Sequence, residues 1–342
     1  MSSATQTVAE APRPTSPNKR RRKLFNFSEG GGAPFLVAPT LIVLAVVIGY
    51  PVVKAVFMSF QKDPGLDKAT GLFVSGGFAG FSNYTHWILQ QCNVAGGGTE
   101  SCPAGSLGAE FWTAMGNTVL FTVISVAIEV VLGMWFAMIM HRKIRGRGLV
   151  RAAILIPWAI PTAVTAKLFF FIFAFSGVAN KLLHAQILWT GDAWPARFAV
   201  IAADVWKTTP FMALLILAGL QVIPEEVYEA AKVDGASTLQ RFMQITLPLV
   251  KPALMVAILF RTLDVLRIFD LPYILTGGGG GKGDATTTLS ILVISQIRQG
   301  FNSAAALSTI TFIFIFAVAF FFVKFLGANV VETQDQQRKA AR

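Results

Sequence analysis

Apolar residues along this chain run in long blocks, separated by shorter polar pieces that carry most of the Lys and Arg. A helix rises 1.5 Å per residue, so about 20 apolar residues cross the hydrocarbon of a bilayer. Six blocks qualify, at roughly 34–59, 117–141, 149–175, 198–222, 252–275 and 304–327. The pattern predicts an all-α integral membrane protein with six transmembrane helices. Residues 33–327 form its membrane domain. Residues 1–32 are polar, with a KRRRK run at Lys19–Lys23, and are expected to be a disordered basic cytoplasmic tail. The apolar run that follows is too long for the core of a cleavable signal. Residues 328–342 are expected to be a second cytoplasmic tail.

Composition sharpens this. The chain is 54% hydrophobic and only 14% charged, against about 25% charged residues in an ordinary soluble domain. Its net charge of +11 would suggest a nucleic-acid partner in a soluble protein. Here the basic residues flank the spans, so no nucleic acid is expected. With the N-terminus inside, the four cytoplasmic pieces hold six, five, three and four Lys and Arg, 18 in all, and the three outer loops hold two each. That asymmetry predicts that both termini are cytoplasmic.

The first outer loop, 60–116, contains both cysteines, Cys92 and Cys102. Two cysteines close in sequence on the oxidising side are expected to pair. No His/Cys pattern completes a metal site. A polar segment, residues 224–248, lies on the predicted cytoplasmic side. Pro224 suits a first helical turn, EEVYEAAKV reads as a short helix, and Gly235 ends it. Ser237 and Gln240 fit a capping box for a second helix. That helix carries Leu239, Phe242, Met243 and Leu247 on one face, and Pro248 is expected to close it. On these grounds alone the segment is either an amphipathic helix pair on the membrane surface or a plug for a cytoplasmic partner.

The same segment resembles the EAA loop of ABC importer permeases. Glu229-Ala230-Ala231, then Gly235, then Ile245-x-Leu247-Pro248 reproduce that motif with every spacing kept. The stretches AILIPWAIP (153–161), VWKTTPFM (205–212) and FRTLDVLRIFDLPYILTGGGG (260–280) resemble the carbohydrate-uptake, maltose-permease-like branch. Residues 205–280 are similar to the mycobacterial type of trehalose importer permease. The likeness covers about 33–327. It implies the type I importer permease fold in a bacterial plasma membrane. It also implies a coupling hairpin at 224–248, with Glu229, Ala230, Ala231, Asp234, Gly235, Ile245, Leu247 and Pro248 meeting an ATPase subunit. The implied partners are a second homologous permease, an ABC ATPase dimer holding ATP and Mg, and an extracytoplasmic sugar-binding lipoprotein. The implied cargo is a disaccharide such as trehalose or maltose.

Polar residues inside spans are rare and default to function. Trp158, Thr162, Lys207, Thr208, Asp264 and Arg267 fall near mid-bilayer, and Trp158, Phe211, Lys207, Asp264 and Arg267 are expected to supply hydroxyl partners and flat apolar faces for a sugar. The resemblance implies sugar-site positions for Trp158, Thr162, Thr208, Phe211, Asp264 and Ile268. Alternatively Arg261, Asp264, Arg267 and Asp270, three apart with alternating sign, neutralise one another along one helix face. Lys207 would then pair with Asp204 or Asp264. The chain has no Walker A motif and no hydrolytic constellation, so it is expected to be non-catalytic, without a cofactor of its own. A membrane-embedded glycosyl- or lipid-transferring enzyme, or a self-sufficient channel or secondary transporter, are the competing readings. Neither needs a partner-docking hairpin.

Overall fold

A computed structural model describes residues 33–66, 71–94, 98–278, 280–281 and 284–340. The expected basic tail, 1–32, lies outside the described residues, as do Lys68 and Lys282. The chain divides into two units, Met1–Val52 and Val53–Arg342. In the first, a helix over Ala33–Leu44 passes through a π-helical turn at Ala45–Gly49. Its apolar stretch belongs to the span α1, Val37–Met58.

The second unit is built on three long helices: α3 (Phe111–His141), α7 (Ala193–Gln221) and α9 (Thr238–Val265). Their facing sides bury Ala137, Met140, Ala203, Met212, Ala213, Ile216, Val250 and Ala257. In a membrane, helices associate through van der Waals fit, and small residues let backbones approach. Gly219 shows this most sharply. A Cβ there would lie 2.5 Å from the Cβ of Ala253, on α9.

Two expected spans are broken. The third is a pair of helices, α4 (Arg147–Ala159) and α5 (Thr162–Ile172), bent by 90° at Ile160–Pro161. Pro161 cannot continue the hydrogen-bond ladder, and Ile160 before it takes an extended backbone, as the residue preceding proline prefers. Among the described residues, five helices are long and apolar enough to cross a bilayer, and the bent pair makes a sixth. The fifth span was expected at 252–275. Its helix instead starts at Thr238 and stops at Val265, and a separate short helix, α10 (Asp270–Thr276), follows. The last helix, α12 (Phe301–Ala340), carries the sixth span and continues through most of the expected tail.

Residues 60–116, expected as the first outer loop, form a small lobe among the described residues. Three two-stranded antiparallel ladders pair β1 (Gln61–Lys62) with β4 (Gly77–Phe78), β2 (Gly65–Leu66) with β3 (Phe73–Val74), and β5 (Gln91–Val94) with β6 (Gly98–Ser101). Helix α2 (Ser82–Ile88) lies between them in sequence. Its Trp87 is fully buried with Phe111, Leu289, Leu292 and Leu307, and donates its indole N–H to the Ser303 carbonyl at 3.1 Å. The Asp63 carboxylate accepts the N–H groups of Asn302 (2.6 Å) and Ser303 (3.0 Å). It thereby caps α12, satisfying donors that a helix start leaves free. Cys92 and Cys102 are joined as a disulfide within the β5–β6 hairpin.

Candidate functional site

A cavity of about 320 Å³ opens between α5, α7 and the broken end of α9. Thr162, Lys207, Thr208, Asp264, Arg267 and Ile268 line it, six of the eight residues expected at a sugar site. Asp204, Phe269 and Asp270 also line it. The other two expected residues, Trp158 and Phe211, do not. They stack on each other, with ring centroids 5.7 Å apart and planes 28° apart.

The breaks in the helices make this cavity. The chain leaves helical geometry over 266–269, where Phe269 has φ −134° and ψ −63°. Arg267 and Asp270 therefore leave the helix face that carries Arg261 and Asp264. The expected ladder of four alternating charges does not form along one helix. Only the pair Arg261–Asp264 lies along it. At the other break, Lys207 donates to the Ile160 carbonyl at 2.7 Å. Its expected ion pairing with Asp204 or Asp264 gives way to this backbone bond. The bend leaves that carbonyl without a helical partner, and an unpaired carbonyl inside a bilayer costs several kcal/mol, on the order of any ion pair's gain. Arg267 spends its Nε on the Leu263 carbonyl, 3.1 Å away.

Behind the cavity is a charge cluster that spans three helices. Arg261 on α9 is 1% exposed. It donates to both carboxylate oxygens of Glu129 on α3, at 2.6 and 2.7 Å, to Asp204 on α7 at 3.0 Å, and to Asp264. Glu129 is fully buried and also faces the Thr208 hydroxyl at 2.7 Å. Glu129 stands outside the residues expected from the sequence. The signal was present: a lone carboxylate in the middle of an otherwise apolar block.

The chemistry of the lining is mixed. Asp264, two-thirds exposed, offers acceptor oxygens, while Lys207 and Arg267 offer N–H donors. Thr162 and Thr208 add hydroxyls. Such a wall suits a polyhydroxyl ligand, whose groups both donate and accept.

The hairpin stands beyond the far end of α3. Helix α8 (Glu225–Val233) carries Glu229, Ala230 and Ala231, with Asp234 as its C-cap. Gly235 has φ +76°, a left-handed angle that favours glycine, and the Ala236 N–H closes back on the Ala231 carbonyl at 2.9 Å. Ser237 and Gln240 form the capping box reciprocally, at 2.7 and 3.3 Å. Pro248 was expected to end the second helix. It does not: α9 runs through it, with Ile245, Leu247 and Pro248 inside the helix. A π-helical turn at Phe242–Thr246 precedes the proline and accommodates its missing donor by widening the ladder there. Nor is the apolar stripe uniform. Leu239 and Met243 are exposed, whereas Phe242 and Leu247 pack against the main core with Tyr228.

A groove of about 560 Å³ separates the hairpin from the end of α3, lined by His141, Arg142, Lys143, Glu225, Glu229, Lys232 and Arg241. Lys143 bridges it to Glu225 at 2.6 Å. That hydrogen bond, with the ammonium charge, holds the Glu225 carboxyl below the usual carboxylate range. In the lobe, His86 lies beside Cys92 and Cys102. The two sulfurs are bonded to each other, so neither is a thiolate able to hold a metal.

Residues 129–332 match the family model described as the binding-protein-dependent transport system inner membrane component. Curated relatives extend over nearly the whole chain. The trehalose/maltose transport system permease protein MalF of Thermococcus litoralis is 38% identical over 295 residues, 84% of this chain and 91% of the relative. The trehalose transport system permease protein SugA of Mycobacterium tuberculosis is 39% identical over 296 residues, 86% and 88%. Among solved structures, a bacterial ABC transporter involved in the import of the acidic polysaccharide alginate superposes with a TM-score of 0.64 at 22% identity. It covers 86% of this chain and 95% of that one, a likeness of fold.

Proposed function

The chain belongs to the family of binding-protein-dependent transport system inner membrane components, and from that premise we propose that it is one of two permease subunits of an ATP-driven importer of a neutral disaccharide, trehalose or maltose. It is a membrane transport subunit rather than an enzyme. In this reading ATP and Mg reside in a partner ATPase dimer. A sugar-binding lipoprotein delivers cargo from outside, and a second homologous permease completes the pore. Both termini face the cytoplasm, as the 18-to-six division of Lys and Arg supports.

The observation that carries the substrate class is the lining of the 320 Å³ cavity, to which Asp264 brings acceptor oxygens and Lys207 and Arg267 bring N–H donors. The names of the two relatives, trehalose and trehalose/maltose, point the same way. The coupling reading rests on the 224–248 segment, which carries the Glu-Ala-Ala and Gly235 positions on a folded hairpin beyond the bundle. Closure of the ATPase dimer would move that hairpin. Because α9 is continuous from Thr238 to Val265, the push would travel along one rigid helix to Asp264 at the cavity.

The test is uptake by the complete importer in proteoliposomes, with labelled trehalose and labelled maltose offered in turn. ATP-dependent accumulation of one of them, requiring the receptor, is the expected result. ATPase activity stimulated by no neutral disaccharide would overturn the substrate assignment.

A further inference from the structure

Two side chains behind the cavity never reach it, yet both touch groups that do. Glu129 and Arg261 are absent from the cavity lining and are 0% and 1% exposed. The Thr208 hydroxyl carries one hydrogen. Its two acceptors, Glu129 Oε1 at 2.7 Å and the Asp204 carbonyl at 2.5 Å, both lie inward. The hydrogen is therefore spent inside the protein, and only oxygen lone pairs remain for the cavity. Asp264 is held on its inner side by Arg261 and presents carboxylate oxygens outward. This part of the wall is thus made acceptor-only by groups lying behind it.

Resting on the sugar-site reading above, we propose that Glu129 and Arg261 are positioning residues. They fix Thr208 and Asp264 as a pair of hydroxyl-accepting groups, and so set the site's affinity for a neutral polyol. The fork of a guanidinium is needed for this task. It reaches two oxygens of one carboxylate while its remaining N–H groups hold Asp204 and Asp264. A lysine keeps the charge but places a single point of it, and cannot hold three carboxylates from three helices in one plane.

The experiment uses the whole importer, assembled with its ATPase and second permease in nanodiscs. It is stalled with a non-hydrolysable ATP analogue after receptor delivery, and tritiated trehalose retained per complex is counted. Arg261→Lys and Glu129→Gln are each expected to lower retention ten-fold or more, with co-purifying ATPase unchanged. Asp264→Asn combined with Thr208→Val should lower it as far. Adding Glu129→Gln to that double variant should change it less than two-fold, because the groups it acts through are already gone. A merely structural role would leave the added effect at full size, and that result would overturn the proposal. So would wild-type retention in both Glu129→Gln and Arg261→Lys, or loss of the co-purifying ATPase in both. If Asp264→Asn with Thr208→Val itself retains trehalose normally, the sugar-site reading fails instead.

Discussion

Arg261 occupies a place where an unpaired charge is untenable. It is buried near the C-terminal end of α9, and its partners come from three helices, its own included. Removing the guanidinium that holds three carboxylates leaves buried negative charge uncompensated and costs about 3–5 kcal/mol. Arg261→Met should therefore abolish a sharp melting transition in detergent, read by fluorescence-detected size exclusion. The pair of changes Arg261→Met and Glu129→Leu should recover part of that loss, because it removes the fully buried carboxylate the guanidinium held, while Asp204 remains. Equal damage in both variants would show that Glu129 is not the main counter-charge. Lys207 teaches the complementary point. Its charge looked destined for a carboxylate, but the carbonyl that Pro161 strands at Ile160 holds it.

Helices and their breaks decide how these residues meet. The 90° bend between α4 and α5, and the stop of α9 at Val265, open the cavity that straight spans would fill. The continuity of α9 through Pro248 ties the hairpin to that cavity. At the hairpin turn, Gly235 has open space where a Cβ would go, so only its left-handed φ resists substitution. Gly235→Ala should cost about 1–2 kcal/mol locally and leave insertion intact. Gly235→Asp adds a charge at the proposed ATPase contact. It should abolish uptake by proteoliposomes while the protein still purifies from membranes at normal yield. Normal uptake in that variant would argue that this turn bears no partner.

At the scale of the whole molecule, the lobe and the hairpin stand at opposite ends of α3. Phe111 at its start packs with Trp87 in the lobe, and Lys143 just past its end bridges to Glu225. The disulfide staples a hairpin that is also tied by the ladder between β5 and β6, the Cys102 N–H on the Gln90 carbonyl and the His86 ring on the Gln91 carbonyl. Paired Cys92→Ser and Cys102→Ser changes should cost the lobe about 2–3 kcal/mol. Limited proteolysis should then cut first within 91–102, with the spans still protected. Protection equal to that of the oxidised protein would mean the ladder alone suffices.

The sequence by itself determined the class, the number of apolar blocks and the place of most of them, the hairpin with its capping box and glycine turn, and six of the residues that line the cavity. Each of these is written in local pattern: run length, spacing of a motif, or an ionisable residue in an apolar stretch. Tertiary structure alone decided the rest. It chose the Ile160 carbonyl for Lys207, parted Trp158 and Phe211 from the cavity, and carried α9 through a proline that reads as a stop. It also brought Glu129 to Arg261 across 132 positions of chain. Periodicity says which face of a helix is apolar but not what lies opposite it. In a bilayer, buried polar groups take whichever partner the packing of other helices presents.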